Sequence, residues 1–180
     1  MNPILVEKIA LKEVDQLQKI CTQTFRETYA SGNSSEDMQA YLTENFKTDK
    51  LISELGNPAS EFHFAKLNGS VIGYLKINFG TAQTEPQQEK ALEIEGIYVL
   101  KDFQGKSVGQ ISITTAFEIV KRARVDYLWL GVWEKNISAL HFYRRNGFSE
   151  FDKHIFKVGN DVQKDIMMKF RISNFQICES

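Results

Sequence analysis

The stretch from residue 97 to residue 110, IYVLKDFQGKSVGQ, constrains the possible fold of this chain more than any other part of the sequence. A β-branched run that is typical of a strand leads through a turn containing Gly105 directly into a helical pattern. The first N–H groups of a helix have no partner within the helix, and the helix dipole places positive charge there. Gly105 and Gly109 also let an anion approach the main chain closely. The stretch therefore predicts a strand–turn–helix unit that binds a phosphate group.

A second strand-to-helix unit, from Val132 to Phe148, carries polar side chains along one predicted helical face. Asn136 stands where a helix N-cap is expected, and Tyr143 follows two turns later on the same face, about 10 Å along the axis. Arg145 lies near the end of this helix and suits a phosphate group. Together the two units predict acyl transfer from a phosphate-bearing carrier.

Composition favours one ordinary globular domain over residues 1–180, with 42% hydrophobic and 25% charged residues. The formal net charge of −1, without a long basic run, argues against nucleic acid as a direct partner. The two cysteines lack CxxC spacing, and His63, His141 and His154 lack ligand spacing, so neither a disulfide framework nor a metal site is expected. The N-terminus has no long apolar run, so we expect a cytoplasmic protein without a membrane-spanning segment.

Hydrophobic periodicity and turn residues predict the order β, two or three helices, β-β-β, α, β, α, β-β, an α/β (α+β) fold. The pair Asn68-Gly69 is the strongest hairpin signal, because both residues tolerate the positive φ of a tight turn. Gly109 is expected to pack closely against the sheet. Helices are predicted over residues 12–29, 49–55, 107–124 and 137–146, and a further helix is predicted to begin at a cap, Ser34 or Ser35, and to end at about Glu44. Strands are predicted over 3–10, 61–67, 70–79, 92–99, 127–133, 150–157 and 162–170, the last two joined by residues 159–161.

Three motifs occur in a characteristic order: Glu-x-Glu-x-Ile-Tyr-Val, Gln-Gly-Lys-Ser-Val-Gly-Gln and Asn-x-x-Ala-x-x-Phe-Tyr-x-x-x-Gly-Phe. In this order they resemble the GCN5-related N-acetyltransferase superfamily. The segments TFRETY, EDMQAYL and WLGVWEKN are most similar to bacterial spermidine/spermine acetyltransferases of the PaiA type. The resemblance implies a mixed, mostly antiparallel central sheet of about seven strands, splayed into a wedge that binds acetyl-CoA and flanked by helices.

The resemblance also implies how acetyl-CoA is held. The pantetheine arm would follow the main chain of residues 97–99, and residues 104–110 would wrap the pyrophosphate. Ser107 replaces a glycine of the superfamily's turn pattern, which is acceptable if its backbone dihedral is ordinary. The candidate cofactor-binding residues are Ile97, Tyr98, Val99, Gln104, Gly105, Lys106, Ser107, Val108, Gly109, Gln110, Asn136, Tyr143 and Arg145.

Acetyl transfer to an amine requires a base, because an alkylammonium with a pKa of about 10.4 is almost fully protonated near neutral pH. Strand alternation places Glu93 and Glu95 on one face, and we favour Glu95, whose position resembles that of the superfamily's usual glutamate. A β-bulge would change which side chain points inward. Tyr143 is the predicted proton donor to the departing thiolate, and the N–H of Val99 is the expected oxyanion donor.

The leading hypothesis is an acetyl-CoA-dependent N-acetyltransferase acting on a primary amine of a small polyamine such as spermidine or spermine. Glu27, Glu36, Asp37 and Glu44 are expected to give a polycation an acidic approach. The alternatives are acetylation of a protein N-terminus or lysine, acetylation of an amino-sugar, and a non-catalytic CoA-sensing module. The sequence does not decide between a monomer and a homodimer.

The aromatic residues of the N-terminal half are predicted to serve as core and groove packing. They are Phe25, Tyr29, Tyr41 and Phe46.

Overall fold

The structure is a computed structural model that describes residues 3–85, 90–158 and 161–173. Its helices are α1 (Val14–Tyr29), α2 (Ser35–Asn45), α3 (Thr48–Leu55), α4 (Val108–Ala123) and α5 (Ile137–Arg145). Its strands are β1 (Leu5–Lys8), β2 (Ser60–Leu67), β3 (Ser70–Phe79), β4 (Ala91–Val99), β5 (Tyr127–Trp133), β6 (Ser149–Val158) and β7 (Asp161–Arg171). Short 3₁₀ helices span Leu11–Glu13, Ala30–Gly32, Gly80–Ala82 and Lys101–Phe103.

The predicted order of elements and the fold class are confirmed, with boundaries that differ by a few residues. The first strand is the clearest difference, because only Leu5–Lys8 pairs with β2. Ser34 caps α2 through its hydroxyl, which accepts a hydrogen bond of 3.0 Å from the N–H of Asp37. Asn68 and Gly69 have φ angles of 52° and 79°, as the hairpin between β2 and β3 requires. Residues 159 and 160 of the predicted β6–β7 turn lie outside the described residues.

The seven strands form one sheet in the order β1-β2-β3-β4-β5-β7-β6. Neighbours pair antiparallel except β4 and β5, which are parallel and paired only at Ala91–Tyr127, Leu92–Leu128 and Glu93–Trp129. Both strands continue beyond this point, β4 to Val99 and β5 to Trp133. Their separation opens the predicted wedge in the middle of the sheet.

Helices cover both faces of the sheet. The larger core packs α4 and α5 against the centre of the sheet, through residues such as Ile94, Ile113 and Leu140. On the opposite face, α1 and α3 pack against β2 and β3, through residues such as Leu17 and Phe64. The wedge between β4 and β5 is therefore enclosed by helical layers above and below.

A β-bulge in β4 determines which side chains reach each face of the sheet. Lys76 pairs with Gly96 while Ile77 pairs with Ile94, so Glu95 is an extra residue in the ladder between β3 and β4. Ile94 and Ile97 pack on the α4 side, whereas Tyr98 packs with the aromatic residues beneath α1. The bulge thus shifts the alternation and brings Tyr98 to the face that carries Glu95.

Candidate active site

A cleft of about 440 Å³ lies between the separated strands β4 and β5 and the N-terminal ends of α4 and α5. Of the thirteen residues predicted to bind the cofactor, Lys106 is the exception that does not line this cleft. Its ammonium group instead lies 5.3 Å from the centre of the Phe103 ring. The lining residues from the predicted set are Ile97, Tyr98, Val99, Gln104, Gly105, Ser107, Val108, Gly109, Gln110, Asn136, Tyr143 and Arg145.

The exposed edge of β4 gives this cleft unpaired main-chain groups. The N–H of Leu100 donates to the carbonyl of Ile72 at 3.0 Å, and hydrogen bonds to β3 recur at alternate residues of an antiparallel pair. The N–H groups of Ile97 and Val99 therefore point away from β3 and into the wedge. The carbonyl of Val99 accepts a hydrogen bond of 3.1 Å from Nε2 of Gln104, which ties the strand to the turn that follows.

The turn before α4 is shaped by two residues in the left-handed region. Gly105 has a φ of 73°, and Ser107, the N-cap of α4, has a φ of 65°. The condition set for Ser107, an ordinary backbone dihedral, is not met, because the serine adopts a left-handed conformation that glycine favours. Left-handed residues of this kind turn successive N–H groups toward one concave surface, where an anion binds. Residues 108–110 begin α4, so their N–H groups have no intrahelical acceptor.

Gly109 faces α5 and the cleft, and the expectation that it packs against the sheet is wrong. A β carbon at this position would lie 3.5 Å from the ring of Phe142, an ordinary van der Waals contact. Gln110, one residue further, donates a hydrogen bond of 2.9 Å to Oδ1 of Asn146. These contacts hold the start of α4 beside the C-terminal end of α5, so the start of α4 and one face of α5 border the same cleft.

Helix α5 places its polar residues as the sequence indicates. Asn136 caps the helix by accepting a hydrogen bond of 3.1 Å from the N–H of Ala139. Tyr143 is buried, and burial raises the pKa of its phenol well above the ordinary value. Within the described residues, its hydroxyl has no hydrogen-bond partner. The phenol is thus a protonated donor that borders the cleft, while Arg145 is exposed at its rim.

A second cavity, of about 490 Å³, lies on the α1 side of the sheet. Aromatic side chains form one wall: the ring of Phe25 stacks on Tyr29 at 4.4 Å and on Tyr41 at 4.3 Å. Phe46 also lines this cavity, so the predicted groove packing places all four aromatic residues at one surface. The carboxylates that line the cavity are those of Glu54, Glu93, Glu95 and Asp165.

Glu93 and Glu95 differ in how their oxygens are used. Glu93 is buried and accepts hydrogen bonds at both oxygens: Oε1 from the Thr84 hydroxyl, and Oε2 from the Thr84 N–H at 2.8 Å and Asn78 Nδ2 at 3.2 Å. Burial raises its pKa. Glu95 uses a single oxygen, Oε2, which lies 2.6 Å from both Asn78 Nδ2 and Lys76 Nζ. Its Oε1 has no partner within the described chain.

Lys76 is a buried cation that joins two of these carboxylates. Its ammonium group lies 2.6 Å from Glu95 and 2.9 Å from Glu54 on α3. Burial alone lowers the pKa of Lys76, but the two carboxylates outweigh this effect and raise it above the ordinary value. Lys76 therefore stays charged and fixes the position of the Glu95 side chain.

The two cavities meet at a small set of residues in the wedge. This junction comprises Tyr29, Glu95, Gly96, Tyr98 and Gly131, which line both cavities. Glu93 lines only the second cavity. Of the two glutamates, Glu95 alone is placed where a group bound in one cavity approaches a group bound in the other.

Sequence reasoning missed several polar residues of the second cavity, chiefly Glu54, Lys76, Asn78, His154 and Asp165. One signal was present: Lys76 and Asn78 alternate on β3 just as Glu93 and Glu95 alternate on β4. Glu54 and Asp165 gave no such signal, because only the tertiary fold brings α3 and β7 to this cavity.

The acidic approach predicted from α1 and α2 is not where the structure places the acidic cavity. Glu36 and Glu44 border a separate surface hollow with Lys47. Glu27 accepts a hydrogen bond of 2.8 Å from the N–H of Lys101. Neither these residues nor Asp37 are among the residues lining the second cavity.

Residues 3–85, 90–158 and 161–173 contain no cluster of three or more histidine, cysteine, aspartate or glutamate side chains arranged to hold a metal ion. None of the helices found there is both long enough and apolar enough to span a membrane.

The fold, the splayed strands and the left-handed turn before α4 are those expected of transferases that take an acyl group from a nucleotide-bearing thioester. The sequence profile of the Acetyltransferase (GNAT) family matches residues 16–148. The chain belongs to this family and is an acetyl-CoA-dependent N-acetyltransferase.

Particular relatives support this assignment. An uncharacterized N-acetyltransferase in the pepI 3' region of Lactobacillus delbrueckii subsp. lactis is 37% identical over 169 residues, covering 94% of this chain and 98% of that protein. The spermidine N(1)-acetyltransferase of Thermoplasma acidophilum is 22% identical, covering 83% of this chain and 90% of that protein. The crystal structure of the PaiA N-acetyltransferase from Thermoplasma acidophilum with coenzyme A superposes with a TM-score of 0.78 at 20% identity, covering 94% of this chain and 99% of that one.

Proposed function

We propose that this N-acetyltransferase acts on a primary amine of a small polyamine such as spermidine or spermine. The observation that carries the proposal is the second cavity, in which four carboxylates face two ammonium groups, those of Lys50 and Lys76. Such a cavity attracts a flexible cation, and its aromatic wall suits both methylene groups and an ammonium. The spermidine N(1)-acetyltransferase among the relatives supports the same substrate class.

The cleft between β4 and β5 fits acetyl-CoA. Unpaired N–H groups along β4 suit the amide-containing pantetheine arm, and the left-handed turn at Gly105 and Ser107 suits the pyrophosphate. Arg145 at the rim suits a further phosphate. When bound, acetyl-CoA supplies an acetyl thioester whose carbonyl carbon accepts the amine nitrogen. The remaining chemistry belongs to residues of the chain.

Glu95 is the proposed base. It lines both cavities, and its Oε1 is unengaged while Lys76 and Asn78 fix Oε2. Glu95 therefore removes a proton from the ammonium of the acceptor, either directly or through one water molecule. Glu93 remains the alternative, but its two engaged oxygens suit it better to anchoring the loop at Thr84.

Tyr143 and Val99 complete the proposed machinery. The N–H of Val99 points into the wedge and donates to the negative charge that develops on the carbonyl oxygen. Tyr143 holds a phenolic proton beside the cleft and donates it to the departing sulfur. The acceptor nitrogen loses two protons: Glu95 takes the first before attack and releases it to solvent, and the second, lost after attack, restores the Tyr143 phenol. Asn136 caps α5 and so positions Tyr143.

The test is release of CoA thiol from acetyl-CoA with spermidine and with spermine as acceptors. The proposal expects turnover with both amines that saturates with their concentration. Indifference to both would remove the polyamine, while turnover with a peptide amine or an amino-sugar would assign the acceptor elsewhere. Binding of acetyl-CoA without turnover for any acceptor would instead support the sensing module.

A further inference from the structure

We propose that Asp165 and His154 form a second ammonium subsite in the second cavity, on the β6–β7 side of Gly131, which selects acceptors carrying a second amine. The inference rests on the proposed function, in which the amine that reacts lies beside Glu95. It adds a separate binding site for a nitrogen that does not react.

The sheet brings the two residues together on one face. Asp165 of β7 pairs with His154 of β6 on one side and with Trp133 of β5 on the other. Both Asp165 and His154 line the second cavity, together with Gly131 of the junction. A β carbon at Gly131 would lie 3.2 Å from Oδ2 of Asp165 and 3.3 Å from Cε1 of His154. The pair therefore lies directly over Gly131, and a side chain at this position would press against both residues.

Both side chains have polar atoms that are buried without a partner in the described part of the chain. These atoms are Oδ1 of Asp165 and Nδ1 of His154. Asp165 is only 8% exposed. Buried polar atoms in folded proteins nearly always have a hydrogen-bond partner, so an unpartnered atom on each of these two neighbouring side chains indicates that a ligand supplies the missing groups.

The chemistry of the pair favours an ammonium ligand. Nε2 of His154 faces Oδ2 of Asp165 at 3.7 Å. In the tautomer that carries its proton on Nε2, Nδ1 is an acceptor. Asp165 Oδ1 is also an acceptor, and an ammonium group has three donors. Burial raises the pKa of Asp165 to about 6, so this carboxylate is ionised near neutral pH. A bound cation would stabilise this buried negative charge.

The position of the pair sets a length requirement. Glu95 on β4 and Asp165 on β7 are separated by β5, which is two interstrand intervals or roughly 10 Å before the splay is added. Tyr41 lines the same cavity and belongs to its aromatic wall. Burial raises the pKa of its phenol, and so do the charges of Tyr29, Glu95 and Asp165. An acceptor with two amines joined by a methylene chain spans both ends along this aromatic wall.

The experiment compares octane-1,8-diamine with octylamine, which has the same carbon chain and one amine. Binding of each to the CoA-saturated protein is measured by calorimetry, and kcat/KM is measured by thiol release. The variants are Asp165→Asn and, as a matched control, Asp152→Asn, which removes an exposed carboxylate from the neighbouring strand β6. Gly131→Ala is a second variant that keeps every charge and places a methyl group against the pair.

The subsite predicts that the wild type binds the diamine about tenfold more tightly than octylamine, as expected for one charge-assisted contact. Asp165→Asn should abolish this preference, Gly131→Ala should reduce it, and Asp152→Asn should keep it. Equal weakening of both ligands in Asp165→Asn, or no preference in the wild type, would overturn the subsite.

The two proposals fail separately in this design. One outcome is a diamine preference that Asp165→Asn abolishes, with no acetylation of spermidine or spermine. This outcome supports the subsite and contradicts the proposed function. Acetylation of spermidine with an unchanged diamine preference in Asp165→Asn supports the function and contradicts the subsite.

Discussion

The ammonium group of Lys76 lies 2.6 Å from Oε2 of Glu95, and both side chains arise from adjacent strands beside the bulge in β4. The contact holds one carboxylate oxygen in place and leaves the other toward the junction of the two cavities. Glu54 contacts the same ammonium group from α3 at 2.9 Å. The position of the Glu95 side chain, the proposed base, therefore depends on Lys76, which Glu54 of α3 contacts from the other side.

Replacing Glu95 by glutamine should lower kcat by about a hundredfold, because the amide cannot accept the proton of the acceptor. Glu93→Gln is the matched comparison and should lower kcat by less than about tenfold, since Glu93 anchors the loop at Thr84. Steady-state thiol release with spermidine measures both variants. A larger loss of kcat in Glu93→Gln than in Glu95→Gln would exchange the two assignments.

Tyr143→Phe should lower kcat by about a hundredfold while leaving the Kd for acetyl-CoA unchanged. Because burial raises the pKa of Tyr143, the phenol stays protonated and the loss should be the same from about pH 6 to pH 9. Rate profiles against pH and calorimetry with acetyl-CoA test this prediction. Full turnover in Tyr143→Phe would assign the proton to another donor.

Arg145 and Lys106 form a matched pair for the phosphate groups. Arg145 lines the cleft, whereas the ammonium group of Lys106 lies over Phe103. Arg145→Ala should raise the KM for acetyl-CoA about tenfold, and Lys106→Ala should change it by less than about twofold. Increasing salt should reduce the effect of Arg145→Ala. An equal increase in the KM for acetyl-CoA from both substitutions would show that Lys106 also contacts a phosphate group.

Ser107→Gly should stabilise the protein, because a residue with a β carbon is strained at a φ of 65°. The expected gain is about 1 kcal/mol, or about 2–4 °C in Tm for a chain of this size. Ser107→Ala keeps the β carbon and serves as the control, which should not show the gain. Thermal unfolding without ligand measures all three proteins. A lower Tm for Ser107→Gly would contradict the left-handed conformation.

Asp165 gives the stability of the protein a specific pH dependence. Its pKa is raised to about 6 in the folded protein, above about 3.9 in the unfolded chain, so the folded state binds the proton more tightly. The associated stability is present below about pH 4 and is lost as pH rises through about 6, on the order of 3 kcal/mol. Asp165→Asn should remove this dependence and be more stable than the wild type near pH 8, which urea unfolding would show. An unchanged pH dependence in Asp165→Asn would contradict the raised pKa.

Much of the fold followed from local chemistry, because each element carried its own signal. Asn68-Gly69 indicated the hairpin, Ser34 or Ser35 and Asn136 indicated two helix starts, and the turn before α4 was evident from the strand that precedes it. The left-handed φ of Ser107 could not be predicted, since serine itself favours other conformations and the position is set by the fold.

The residues of the second cavity were harder to predict from the sequence than those of the cleft between β4 and β5. Residues of this cleft are close together in sequence, but Glu54 and Asp165 are separated by over half of the chain and meet only through the sheet order. The burial of Lys76 also could not be predicted from the hydrophobic pattern. A buried lysine is stable only with charged partners, and the sequence does not show that its partners lie beside it. The cytoplasmic location stays a prediction.

The most direct measurement is a competition in one vessel among spermidine, spermine, an aminoglycoside and a lysine peptide at equal concentration. Acetyl-CoA is limiting, and the products are quantified by mass spectrometry. We expect acetylated polyamine to exceed every other product by about a hundredfold, and Glu95→Gln to slow its formation by about a hundredfold. Preferential acetylation of the peptide or the aminoglycoside would contradict the central claim.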